Sequence, residues 1–143
     1  KGEAHAKAKN VTDEALLQTR LIIDMLPLIK QIQIACDMAT RGMARLAGVE
    51  PQSFEDNETT LPQAYDRIAR ATDYIKSFTP EQIDGSETRA IQLKMRSGEL
   101  NFEGQAYLLH FLIPNVFFHC TTAYNILREA GTEIGKMDFV GQA

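Results

Sequence analysis

Apolar and polar side chains alternate along this chain with two different periods. From Pro27 to Ala47 the apolar residues Leu28, Ile32, Ala35, Ala39, Met43 and Leu46 recur at three- and four-residue steps, and Gly48 follows as a stop. That spacing predicts a long amphipathic helix with Pro27 at its first position, and its opposite face carries Lys30, Gln33, Asp37 and Arg41. A second helix is predicted from the cap Thr60, through Pro62 in the first turn, to a stop before Pro80; its buried stripe is Ala64, Tyr65, Ile68, Ala71, Tyr74 and Ile75. The helical period returns from Gln105 to Ala130 and is closed by Gly131.

Between these lie shorter elements. "VTDEALLQTR" offers Thr12 as N-cap of a short helix from about Asp13 to Arg20, and "TPEQ" at 79–82 has a capping-box pattern that predicts one helical turn. "RAIQLKM" and "LNFEG" alternate at period two around Ser97-Gly98, which predicts a β-hairpin over about 89–103. "GVEPQSFEDNETT" has no period and reads as a surface loop with a solvated acidic run. "KGEAHAKAKN" reads as the last turns of a helix that began upstream, and Ile134, Met137 and Phe139 in the tail are placed to dock on the other helices. The fold class expected is all-α: a four-helix bundle, its first helix truncated, with a small hairpin before the last helix, as a single domain over 1–143.

Composition narrows the function classes. With 44% apolar and 24% charged residues the chain is apolar enough to fold, and a formal charge of −4 gives no basic field for nucleic acid. No run is long and apolar enough to span a membrane, and no leader pattern is present, so a cytoplasmic location is expected. Cys36 and Cys120 sit in separate apolar runs and fit neither a CxxC pair nor a zinc set; inert packing is expected. No Walker loop, dinucleotide fingerprint, HExxH zincin or Ser-His-Asp order occurs.

Candidate chemistry concentrates in "IPNVFFHCTTAY" at 113–124. The stripe Leu108, Leu112, Asn115, His119, Thr122, Ile126 sets Asn115 and His119 one turn apart on the core side. Pro114 is expected to kink the helix and free a carbonyl, which Asn115 can cap unless it bonds His119 instead. His119 reads as a satisfied pocket histidine, or as a general base or metal ligand. Asp37 reads as a solvated charge that a cleft could recruit together with Gln33. Thr122 can bond the preceding turn, Tyr107 and Tyr124 are core aromatics or cleft hydroxyls, and His110 is structural or interfacial.

The blocks "DMLPLIKQIQIACDMATRGMARLAGVE", "SFEDNETT" and "YLLHFLIPNVFFHCTTAYNILREAGTEIGKMDFVG" resemble a domain-of-unknown-function branch of the DinB/YfiT-like superfamily, in order, from about Asp13 to Gly141. The resemblance implies a four-helix bundle, often a homodimer. It also implies a divalent metal, zinc or nickel, held by three histidines, and in some members thiol-dependent transfer with bacillithiol or mycothiol. His119 matches the later histidine of the superfamily's H-x3-H, but Asn115 holds the earlier position. The second helix carries no histidine between Pro27 and Gly48, only Gln31, Gln33 and Asp37 with Met38 beside them. A degenerate metal site at His119, with Asn115, Gln33, Asp37, Thr122 and Tyr124 as pocket residues, is therefore expected. The functional readings are a metal- or thiol-dependent small-molecule enzyme, a non-catalytic small-molecule-binding protein, or a dimeric interaction protein.

Overall fold

The structure is a computed structural model and describes residues 1–95 and 98–141. Its helices are α1 (Gly2–Ala8), α2 (Asp13–Leu17), α3 (Leu28–Ala47), α4 (Leu61–Lys76), α5 (Pro80–Ile83), α6 (Gly104–Tyr107), α7 (Ile113–Glu129) and α8 (Lys136–Val140). A π-helical turn, Leu108–Leu112, joins α6 to α7. Strands β1 (Ala90–Met95) and β2 (Gly98–Glu103) form an antiparallel hairpin with Ile91 opposite Phe102 and Leu93 opposite Leu100. The turn expected at Ser97-Gly98 falls partly outside the described residues, since Ser97 is not among them.

Local chemistry accounts for the boundaries. The Thr12 hydroxyl accepts from Ala15 N–H, as a cap should. The helix it starts ends at Leu17 rather than Arg20, and Leu28 N–H donates instead to the Thr19 carbonyl as the chain turns into α3. At α4 the reciprocal cap is complete: Gln63 N–H donates to the Thr60 hydroxyl and Thr60 N–H donates to Gln63 Oε1. Gly48 ends α3 in the left-handed region at φ 71°, where a side chain would also meet Arg89.

Helix α3 is central and packs against both α4 and α7. Apolar clusters sit at its two ends. One joins Leu16 and Leu17 of α2 to Leu28, Ile29, Leu61 and Ile126; the other joins Leu46 to Ile91, Leu93, Tyr107 and Leu112 under the hairpin. The π turn that leads into α7 comes close at Gly42, where a Cβ would overlap the Leu112 side chain.

Three expectations are corrected. Gln33 and Asp37 do not form a solvated face: Gln33 is buried and Asp37 half-buried, because α4 presents Arg67 to them, wholly removed from water. Arg67 donates to Asp37 Oδ1 at 2.5 Å, Glu58 Oε1 at 3.0 Å, Asp56 Oδ1 at 3.2 Å and the Glu55 carbonyl at 3.1 Å, while Gln33 Nε2 donates to Glu58 Oε2 at 2.7 Å. The acidic run at 55–58 is likewise not simply solvated, since Glu58 is buried in this cluster and Phe54 lies under the guanidinium at 4.9 Å. Conversely, the expected core residues Tyr65 and Ile68 of α4 are exposed, at 50% and 42%, and face the cleft described below. Apolar spacing alone is blind to a polar stripe on one helix finding a polar stripe on the next.

Burial pushes the Glu58 carboxyl up, but hydrogen bonds from Gln33 and Arg67, together with the guanidinium charge, outweigh it and hold Glu58 below the ordinary carboxylate range. A depressed folded pKa stabilises fully above the unfolded value, about 4.3, and loses that contribution as pH falls further. Melting temperature followed from pH 7 to pH 3 should therefore drop steeply at the acid end, and Glu58→Gln should flatten that drop; an identical acid slope in the variant contradicts the assignment. Arg67→Ala strands Glu58 and Asp37 and should cost about 3–5 kcal/mol in chemical denaturation, whereas truncating the exposed Lys7–Glu3 pair should leave the midpoint nearly unmoved.

Candidate functional site

The last long helix is aimed by its start. Pro114 has no N–H to offer the preceding turn, and the chain before it widens into the π turn Leu108–Leu112. Asn115 Nδ2 donates to the Phe111 carbonyl at 2.6 Å, so this amide serves the irregular turn and does not bond His119. One turn on, His119 points toward α3.

There the partner is Gln31. Its Nε2 donates to the Leu26 carbonyl at 2.9 Å, which leaves its Oε1 as the acceptor facing His119 Nδ1 at 2.7 Å. An amide oxygen can only accept, so Nδ1 carries the imidazole proton and Nε2 keeps a free lone pair. Burial pushes the His119 pKa below its ordinary value, which keeps the ring neutral near pH 7. Phe118 stands edge-on to the ring at 5.2 Å. The pair is a hydrogen-bond acceptor of fixed orientation at the side of an apolar cleft.

That cleft, about 720 Å³, runs between α3, α4 and α7 and ends at α1 and α8. His119, Gln31 and Tyr124 are among its polar lining; its walls are chiefly alanine, aliphatic and cysteine side chains. Tyr124 is half-buried with its ring edge-on to Phe139 of α8 at 5.9 Å. Burial pushes the Cys36 thiol up to about 11 and raises Cys120 as well, so both are protonated, weakly reactive wall residues.

The remaining residues singled out from sequence lie elsewhere. Thr122 is buried and donates to the Phe118 carbonyl at 2.8 Å, while Gln33 and Asp37 belong to the Arg67 cluster and do not line the cleft. Tyr107 is fully buried under the hairpin, with its hydroxyl accepting from Arg45 at 3.3 Å. His110 is exposed. Gln31 was legible only as one of several polar residues on the second helix, although its place one turn before Ala35 in the apolar stripe marks it as inward. Arg67 and Glu58 carried no signal of their own.

A three-histidine metal centre does not fit these residues. Among the described residues no group of three or more His, Cys, Asp or Glu side chains converges to hold an ion. Beside His119 the other positions offer the Gln31 amide, already engaged at both ends, and the Asn115 amide, turned to Phe111.

The tautomer is open to measurement. Nitrogen chemical shifts of His119 at pH 7 should report a protonated Nδ1 and a bare Nε2, titrating below about 6.5. Because the folded pKa is the lower one, protonation favours the unfolded chain, so stability contributed by the neutral ring is lost below that pH. An Nε2-protonated ring, or a midpoint above about 6.5, contradicts the geometry.

Comparison with known proteins agrees with this picture. The sequence matches the family described as "Domain of unknown function (DUF1993)" over residues 1–140. The fold matches the crystal structure of a DinB family member from Shewanella denitrificans at 39% identity and a TM-score of 0.90, covering 99% of this chain and 80% of that one. No curated protein matches the sequence. No helix among the described residues is long and apolar enough to cross a membrane. The chain therefore belongs to the DUF1993 family of DinB-like, mostly helical domains of unknown function.

Proposed function

We propose that this protein is a small-molecule-binding bundle of the four-helix type, in which α3, α4 and α7 hold three positions and α1 stands at the end of the fourth. Its recognition group is the neutral imidazole of His119. The observation that carries this reading is the chain of bonds from the Leu26 carbonyl through Gln31 to His119 Nδ1, which leaves Nε2 as an acceptor with no partner among the described residues. An acceptor of fixed orientation on an apolar wall is best matched by a ligand donor, so the ligand class is an apolar body bearing one hydroxyl, thiol or amine. Proton transfer from such a hydroxyl or thiol to Nε2 is the chemistry the arrangement would support.

A second reading, self-association, is favoured by one observation: Ile22 and Ile23 are 58% and 90% exposed in the segment before α3, and Phe118 is 58% exposed on α7. Sedimentation equilibrium on the chain and on Ile23→Ser is expected to show a dimer weakened by the substitution, while a monomer at all concentrations removes this reading.

The binding reading is tested by thermal shift with a panel of thiols, alcohols, amines and divalent metals. A ligand at a hundred times its Kd should stabilise the native chain by about 2.7 kcal/mol, and His119→Leu should remove that shift. Stoichiometric zinc or nickel in tag-free protein, lost in His119→Leu, replaces the proposal with a metal centre. A panel that shifts nothing contradicts it.

A further inference from the structure

Two properties of the cleft wall bear on which donor His119 receives: where its charges stand, and how far its apolar surface runs. Among the described residues its charged lining side chains are Lys1, Glu3 and Asp138, and each is already paired, Lys1 with Asp138 at 2.6 Å and Glu3 with Lys7 at 2.6 Å. Arg67, Asp37 and Glu58 engage one another and do not line it. A carboxylate or phosphate entering the cleft would shed its water and meet no free cation, and an ammonium would meet no free carboxylate. A neutral donor loses far less. Of the neutral donors, a hydroxyl bonds an imidazole nitrogen more strongly than a thiol does.

Length comes from α3. Beyond Gln31 its wall continues through Ala35 to Ala39, about 12 Å of helix, with Ile68 and Ile75 of α4 lining the same space. The two alanines end at Cβ and leave width beside the isoleucines, and Ile68 is largely exposed, so apolar surface there is still open to be covered. An extended alkyl chain of about ten carbons matches that run.

We propose that the ligand is a neutral, unbranched primary alcohol of about eight to twelve carbons, its hydroxyl donating to His119 Nε2 and its chain lying along Ala35 and Ala39 toward Ile75. The inference rests on the binding reading given above and narrows its three donors to one. Burial of the chain supplies the affinity. The imidazole, held by Gln31, fixes which end of the molecule lies beside α7.

The test is titration calorimetry of the chain with the straight-chain alcohols from hexanol to tetradecanol, alongside decanoate, decylammonium and decyl methyl ether. Affinity should rise about fourfold per methylene and level off near about ten carbons, where the wall ends. Decanoate, decylammonium and the ether lack either neutrality or a donor, and each should bind about tenfold more weakly than decanol or worse. His119→Leu should lower decanol to the level of the ether and leave the ether's own affinity unchanged. Ala39→Leu, which fills the far end of the wall, should bring the plateau in by about two carbons without altering hexanol. Decanoate binding as tightly as decanol, affinity that does not grow with chain length, or a plateau unmoved by Ala39→Leu in a chain that still melts cooperatively overturns the inference. Short alcohols or thiols that still bind through His119 then leave the binding reading standing. An ether that matches decanol, with His119→Leu changing neither, removes both. No binding of any member to a chain shown folded by its melting transition overturns the inference as well.

Discussion

A guanidinium wholly removed from water sets how α3, α4 and the segment between them sit together. An uncompensated buried charge costs several kcal/mol, so Arg67 tolerates only arrangements in which carboxylates reach it. They come from α3 through Asp37 and from the connecting loop through Asp56 and Glu58, with Arg41, Arg70 and Lys30 balancing them at the surface. The cluster therefore fixes the path of residues 55–58 and holds α4 against α3. With that spacing set, the stripe of α4 that begins at Leu61 faces the cleft, an apolar trough, instead of closing over it.

A second constraint acts on the other side of α3. Gly42 admits Leu112, and the π turn with Pro114 sets the rotation of α7 about its axis. Those two features decide that His119 meets Gln31 while Cys120 and Ala123 face the trough. The site is thus a consequence of packing at both flanks: one polar, one steric. Electrostatically it is quiet. The ring is neutral, the thiols are protonated, and nothing there gathers a cation's ligands among the described residues.

Much of the fold was legible because helical periods, caps and turn residues are local signals: Thr12, Thr60, Gly48 and the alternating strands around the hairpin fell where such signals place them. The inward turn of His119 was legible for the same reason. Its partner was not, since a hydrogen bond between residues 31 and 119 depends on how two helices cross, which no local pattern encodes. Gln33 and Asp37 were misplaced because a polar stripe looks solvated until its counter-ion, here Arg67 thirty residues beyond Asp37, is known. Asn115, expected to cap the carbonyl freed by Pro114 or to bond His119, instead donates to the Phe111 carbonyl.

The central claim is that α3, α4 and α7 enclose an apolar trough with a fixed, neutral imidazole at its side. The most direct test is a crystal structure of the protein at near-neutral pH. The account predicts the cleft open over Ala35 and Ala123, with Gln31 bridging the Leu26 carbonyl and His119 Nδ1. Helices α4 and α7 collapsed onto each other with no trough between them, or His119 turned away from Gln31 into solvent, would contradict it.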